Sequence, residues 1–167
     1  MRREEPGQKF RPARRQERAL SEADAWALLE SADHGVLAVN GLDGYPYAMP
    51  MTHVLAEGAL LFHAAVQGHR LDALRRNPRT CYTVMVGPEE APGAIPPGSL
   101  GTYASAVAFG EVSEMPTERH AEALTALCRR HAPGREEQAN NFLREGGKVS
   151  ILRFDVAHIT GKRLLVQ

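Results

Sequence analysis

The chain has 167 residues, 43% hydrophobic and 24% charged, with 20 Lys+Arg against 20 Asp+Glu. That length suits one domain with a sizeable core, and a net charge of zero gives no support to a nucleic-acid or membrane-surface partner. No apolar run approaches the roughly 18 residues of a membrane span. The charged N-terminus, MRREEPGQKFRPARRQER, has no apolar segment behind it, so no secretory signal is expected. Cys81 and Cys128 make neither a zinc pattern nor a disulfide framework, and are read as buried free thiols of a cytoplasmic protein.

Residues 1–20 read as a polar, arginine-rich arm, and 21–167 as a single domain. The sequence SEAD at 21–24 is a capping box with Asp in the last place, opening a helix with Trp26 and Leu29 on one face. A short apolar strand follows at 35–40, then a hairpin turn at 41–44, where Asp43-Gly44 suits positive backbone dihedrals. Strands at 45–54 and 59–65 flank a turn at 56–58. A helix over 69–76 is stopped by Asn77-Pro78. Strands at 80–86 and 103–112 surround a Pro- and Gly-rich loop at 87–101. Ala121, Leu124 and Cys128 give helical spacing within 117–131, a second helix covers 136–144, and a last strand runs over 148–159 towards Gly161 and Lys162. Six short strands, the early ones joined by hairpins, favour an antiparallel, small closed barrel over a doubly wound sheet.

Candidate chemistry concentrates in GYPYAMPMTHVLAEGALLFHAAVQGHRLDALRRNPR, residues 44–79. A strand end passing through Gly68 into a helix that opens with His69 and Arg70 can hold a phosphate. Free backbone N–H groups, the helix dipole and a guanidinium all favour an anion there. The strand with Met49, Pro50, Met51 and Thr52 offers a surface for a flat ring. Each signal has a plainer reading: Arg70 as a solvated helix charge, His63 as a core histidine, Met49 and Met51 as period-two packing. Spacing alone leaves these open. His53, His63 and His69 are not spaced as metal ligands on one helix face and have no Cys or acidic partner beside them, so no metal site is expected. Ser99 and Ser105 lack a nucleophile elbow.

The runs PYAMPMTHV, LLFHAAVQGHRLDALRRNPRTC, YASAVAFGEV and ITGK, in that order, resemble the FMN-binding split barrels related to pyridoxamine 5′-phosphate oxidase, and within them the Nim-type (5-nitroimidazole resistance) subgroup. The resemblance covers roughly residues 20–163. It implies a mainly β, six-stranded antiparallel split barrel with peripheral helices, a homodimer, and FMN at the dimer interface. Met49, Pro50, Met51 and Thr52 would line the isoalloxazine, and His63 and Ala64 would lie beside the flavin and ribityl chain. His69 and Arg70 would bind the phosphate, and Ser105 and Val107 would come from the other subunit. His63 would act in chemistry on a nitro substrate.

This chain departs from the family pattern in three places. Ala64 stands where Ser or Thr is frequent, and His69 where Arg or Lys is common in the oxidases. The arginine-containing C-terminal segment of the oxidases has no counterpart before Gln167, so pyridoxamine phosphate is not the expected substrate. The reading is an FMN-dependent oxidoreductase acting on a small molecule, with nitroreduction as its most specific form. Two alternatives stay open: the same fold carrying the deazaflavin F420 or haem, and a flavin-binding module without turnover.

Overall fold

The computed structural model describes residues 10–87 and 103–164. The loop expected over 87–101 therefore lies, Gly87 apart, outside the described residues. In chain order the elements are α1 (Glu22–Ser31), β1 (His34–Asn40), β2 (Pro46–Thr52), β3 (Val54–Ala56), β4 (Ala59–Ala64), α2 (His69–Arg76), β5 (Arg79–Val86), β6 (Tyr103–Glu114), α3 (His120–His131), α4 (Glu136–Arg144) and β7 (Ser150–Leu164). The capping box forms as read. The Ser21 hydroxyl accepts from the Asp24 amide at 3.1 Å and donates to the Asp24 carboxylate at 2.7 Å.

The strands make one sheet in the order β2-β1-β5-β6-β7-β4-β3, with every neighbouring pair antiparallel. There are seven strands where six were expected, because the 45–54 run breaks at His53. Its first part pairs with β1, and its second pairs with β4 across the two-residue turn Glu57-Gly58, whose φ values are 51° and 70°. The break dictates the shape. β2 and β3 lie at opposite edges of the sheet, yet only His53 separates them in the chain. The sheet must curl until its edges meet, which makes a split barrel with His53 at the seam. β7 is also longer than expected, carrying Gly161 and Lys162 within the strand opposite Ala106 and Ser105. Glycine is needed at 161 because a Cβ there would lie 2.9 Å from Leu20 Cδ1 and 3.0 Å from Ala25 Cβ.

Inward-pointing residues alternate along each strand and fill the barrel: Leu37 and Val39, Leu60 and Phe62, Tyr82 and Val84, Ala106 and Ala108, Leu152 and Phe154. α1 closes one side with Ala25, Leu28 and Leu29, and α2 adds Leu71, Ala73 and Leu74. A smaller cluster, Leu61 and Ile151 with Ala123 and Leu127, lies under α3. The two thiols are only half-buried, not buried as expected, and both are held above their ordinary value by burial. No described helix is long and apolar enough to cross a membrane.

Candidate functional site

Where the barrel's edges approach, the ends of β2 and β4 and the start of α2 enclose a cleft of about 380 Å³. Pro50, Met51 and Thr52 form one wall, His63, Ala64 and Ala65 the other, and Arg70 the end. Local sequence explains this convergence. Gly68, at φ 124°, turns the chain out of β4 and into α2, a conformation that L side chains rarely adopt. No side chain caps the α2 N-terminus, so its first amides have neither a helical acceptor nor a side-chain one. Arg70 then points back between the walls, with one terminal N–H 3.5 Å from Met51 Sδ.

The electrostatics of the cleft favour an anion. Arg70 Nε is buried and without a hydrogen-bond partner. Burial lowers the proton affinity of the guanidinium, while Tyr47 acts the other way; arginine nonetheless stays charged in proteins. A half-buried cation with an unmet buried donor is what a phosphate oxygen satisfies. His63 is exposed on the opposite wall. Burial, then the charge of Arg70, then His131 lower its proton affinity below the ordinary histidine value, so the ring is mainly neutral near pH 7.

The expected site residues are only partly brought together. Pro50, Met51, Thr52, His63, Ala64 and Arg70 share the cleft, and Ala65 joins them. Met51 and Ala64 turn their side chains into the barrel core. Met49 packs against that core and does not line the cleft. His69 is not among the lining residues; its ring lies edge-on to Tyr47 at 4.9 Å. Ser105 and Val107 line a separate cleft. Strand register links the two clefts. Pro50 pairs with Val36, Val36 with Thr83, Thr83 with Val107 and Val107 with Thr160. Paired residues share a face, so one cross-strand row runs over the outer face of the sheet, from the Arg70 cleft to the Ser105 cleft. Sequence reasoning gave Ala65 no site role, weighed His53 only as a metal ligand, and did not anticipate its buried pairing with Tyr82. Alternation with His63 was the available signal for Ala65.

Comparison with known proteins agrees with this architecture. Among solved structures, a candidate 5-nitroimidazole antibiotic resistance protein from Bacteroides thetaiotaomicron superposes with a TM-score of 0.66 at 20% identity, over 87% of this chain and 86% of that one. A conserved hypothetical protein from Mycobacterium tuberculosis gives 0.73 at 16% identity, over 91% and 90%. An FAD- and haem-binding protein from Mycobacterium smegmatis gives 0.64 at 19%, over 86% of this chain and 71% of that one. At such identities the likeness shows the fold. No curated protein matches the sequence. Residues 21–163, however, match the family model described as pyridoxamine 5′-phosphate oxidase, and the chain belongs to this family of split-barrel proteins.

Proposed function

We propose that this protein is a homodimeric FMN-binding oxidoreductase that reduces a small substrate, with nitroaromatics as the substrate class to test first. The observation that carries the reading is Arg70: a charged, half-buried side chain whose Nε is buried and unpartnered, at the end of a cleft closed by an uncapped helix start. The Arg70 guanidinium and the first amides of α2 would hold the cofactor phosphate. Pro50, Met51 and Thr52 would support the ring system, and Ala64 and Ala65, having no bulk, would leave room for the chain between them. FMN would supply the capacity to pass an electron pair to substrate. His63 would move a proton at its ring nitrogen, within reach of a substrate on the cleft's open side.

The outer sheet face supports the dimer. Val36, Ala38, Cys81, Thr83 and Val107 are uncharged and only half-buried, and Met85 is 75% exposed. Folding this face onto its two-fold copy would bring the Val107 end of one protomer's row towards the Pro50 end of the other, so that Ser105 and Val107 complete the neighbour's cleft.

The test is the visible spectrum of the purified protein reconstituted with FMN, followed by anaerobic NADH or NADPH and a nitroaromatic. Flavin bands that bleach with donor and return with substrate support the reading. Bands that never bleach would indicate a binding module. Haem is the second reading: a neutral, exposed His63 is competent as an iron ligand, and a Soret band in place of flavin bands would establish it.

A further inference from the structure

The last turn of α3 reaches the seam of the barrel at two points. Arg130 donates a terminal N–H to the Ala32 carbonyl at 3.0 Å, just past the end of α1. His131 donates Nε2–H to the His53 carbonyl at 2.7 Å, at the break between β2 and β3. A carbonyl only accepts, so Nε2 carries the hydrogen, and Nδ1 is the nitrogen free to take up or release a proton. His131 does not itself line the Arg70 cleft.

Strand and helix periodicity nevertheless bring His131 to the level of His63. Leu61 pairs with Val54 and clusters with Ala123 and Leu127 of α3. Two residues on, His63 leaves β4 on the same face as Leu61. Four residues on, His131 leaves α3 on the same face as Leu127. Carrying the Val54–Leu61 register two residues further puts Thr52 level with His63, with His53 beside them. Helix and strand therefore advance together, from the Leu61–Leu127 contact to the seam where His131 is bonded.

Two packed elements supply the charges that act on His63: Arg70 from α2 and His131 from α3. Arginine stays charged throughout, so the part that varies with pH comes from a histidine. Around His131 the other titratable groups are His53, whose carbonyl it holds, and Arg130 with Asp33 at 3.8 Å. Charges of like sign on neighbouring imidazoles repel, so a proton on one opposes a proton on the other. We propose that His131 is a positioning residue for His63: it fixes the seam beside the His63 ring and, when charged, withholds a proton from that ring. Its effect on turnover rests on the proton-transfer role proposed for His63; its effect on the ring does not.

NMR titration of the His63 ring protons in the full chain tests this. His131→Gln keeps an N–H for the His53 carbonyl and removes the charge, so the His63 midpoint should rise by about 0.3 pH unit at low salt. His131→Arg keeps a donor and a permanent charge, so the midpoint should stay at or below the wild-type value. His131→Ala loses the bond as well, and its urea midpoint should fall below that of His131→Gln. In nitroaromatic turnover, the rise in rate on acidification should move to higher pH in His131→Gln by the same amount. A His63 midpoint that is equal in His131→Gln and His131→Arg would overturn the proposal and leave His131 a packing residue. A midpoint that separates the two variants while the pH–rate profile stays put would support the proposal and remove His63 from the reaction. Protein that takes up no FMN would end the flavin reading, and the titration would still decide this one.

Discussion

His53 Nδ1 and the Tyr82 hydroxyl lie 2.8 Å apart in the barrel, both residues fully buried, and together they tie the seam. On the far side of the imidazole, Nε2–H donates to the Leu29 carbonyl of α1 at 2.8 Å. On the far side of the phenol, the hydroxyl lies 2.8 Å from the Met51 carbonyl. The chain of contacts runs from α1 through the β2–β3 break to β5 and back to β2, where Met51 lines the Arg70 cleft. With His53 neutral, one phenol proton serves two acceptors, Nδ1 and the Met51 carbonyl. The ring also explains a glycine in β1: a Cβ on Gly35 would lie 2.6 Å from the Tyr82 ring.

Removing the hydroxyl with Tyr82→Phe strands buried acceptors without changing the packed volume much. The expected cost is about 1–3 kcal/mol of folding stability, read as a lower urea midpoint with an unchanged denaturant slope. An unchanged midpoint would show that the seam is held by packing alone.

Burial, reinforced by Arg130 and His131 and opposed by the Leu29 hydrogen bond and Asp33, pushes His53 from 6.5 down to about 4. The folded protein thus binds fewer protons than the unfolded chain between those values. Stability is fully present above pH 6.5 and is lost as pH falls towards about 4. A shift of that size corresponds to a loss on the order of 3 kcal/mol. His63, also lowered by burial, adds to the loss with the same sign. Urea titrations across this range should show the decline, and His53→Gln should flatten most of it. A stability that holds steady down to pH 4.5 would contradict the assignment.

The elements that local chemistry controls were legible in the sequence. Gly68 and Asn77-Pro78 bracket α2 at the expected residues, and the Asp24 capping box starts α1. The break at His53 was not legible, because the residues that hold it are Leu29 and Tyr82, 24 and 29 positions away. Lone Gly161 looked like a strand end, whereas it is a strand residue thinned to admit Leu20 and Ala25. The direction of His69 depends on Tyr47 from the neighbouring hairpin, which no local pattern reveals. For the outer face, alternation along β1, β5 and β6 was enough to identify the row; only register could join it from Pro50 to Thr160.

Arg70 should carry much of the FMN phosphate affinity. A charge-assisted contact is worth roughly 1.5–3 kcal/mol, or about ten- to 150-fold in Kd. Arg70→Ala should weaken FMN by that factor and barely affect riboflavin, which lacks the phosphate. Equal losses for the two ligands would make Arg70 a structural residue.

The proposed interface should bury more than about 2,000 Å² in total, as obligate dimers do. Met85 projects from the outer face near the end of β5, opposite Ser105, and is 75% exposed. A charge there has no partner on the same face of the strand, so Met85→Arg should convert the sedimentation mass from two chains to one. Wild-type protein sedimenting as one chain at micromolar concentration would remove the dimer and, with it, the role of Ser105 and Val107.

His63 carries the proposed proton transfer. It lies on β4 between Phe62 and Ala64, both turned into the core, and its own ring faces outward into the cleft. A packing histidine would be buried and bonded on both nitrogens, as His53 is; His63 is exposed. Its lowered proton affinity leaves only a small charged fraction near neutrality. Acting as an acid, it should give a rate that rises on acidification from about pH 8 to 6.5, above the range where His53 destabilises the fold. His63→Gln keeps hydrogen-bonding capacity but cannot shuttle a proton. The variant should dimerise and keep FMN, lose at least roughly tenfold in nitroaromatic turnover, and show no rise over that pH range. Unchanged turnover with a lower melting temperature would place His63 among the packing residues, and the site would then need another proton source.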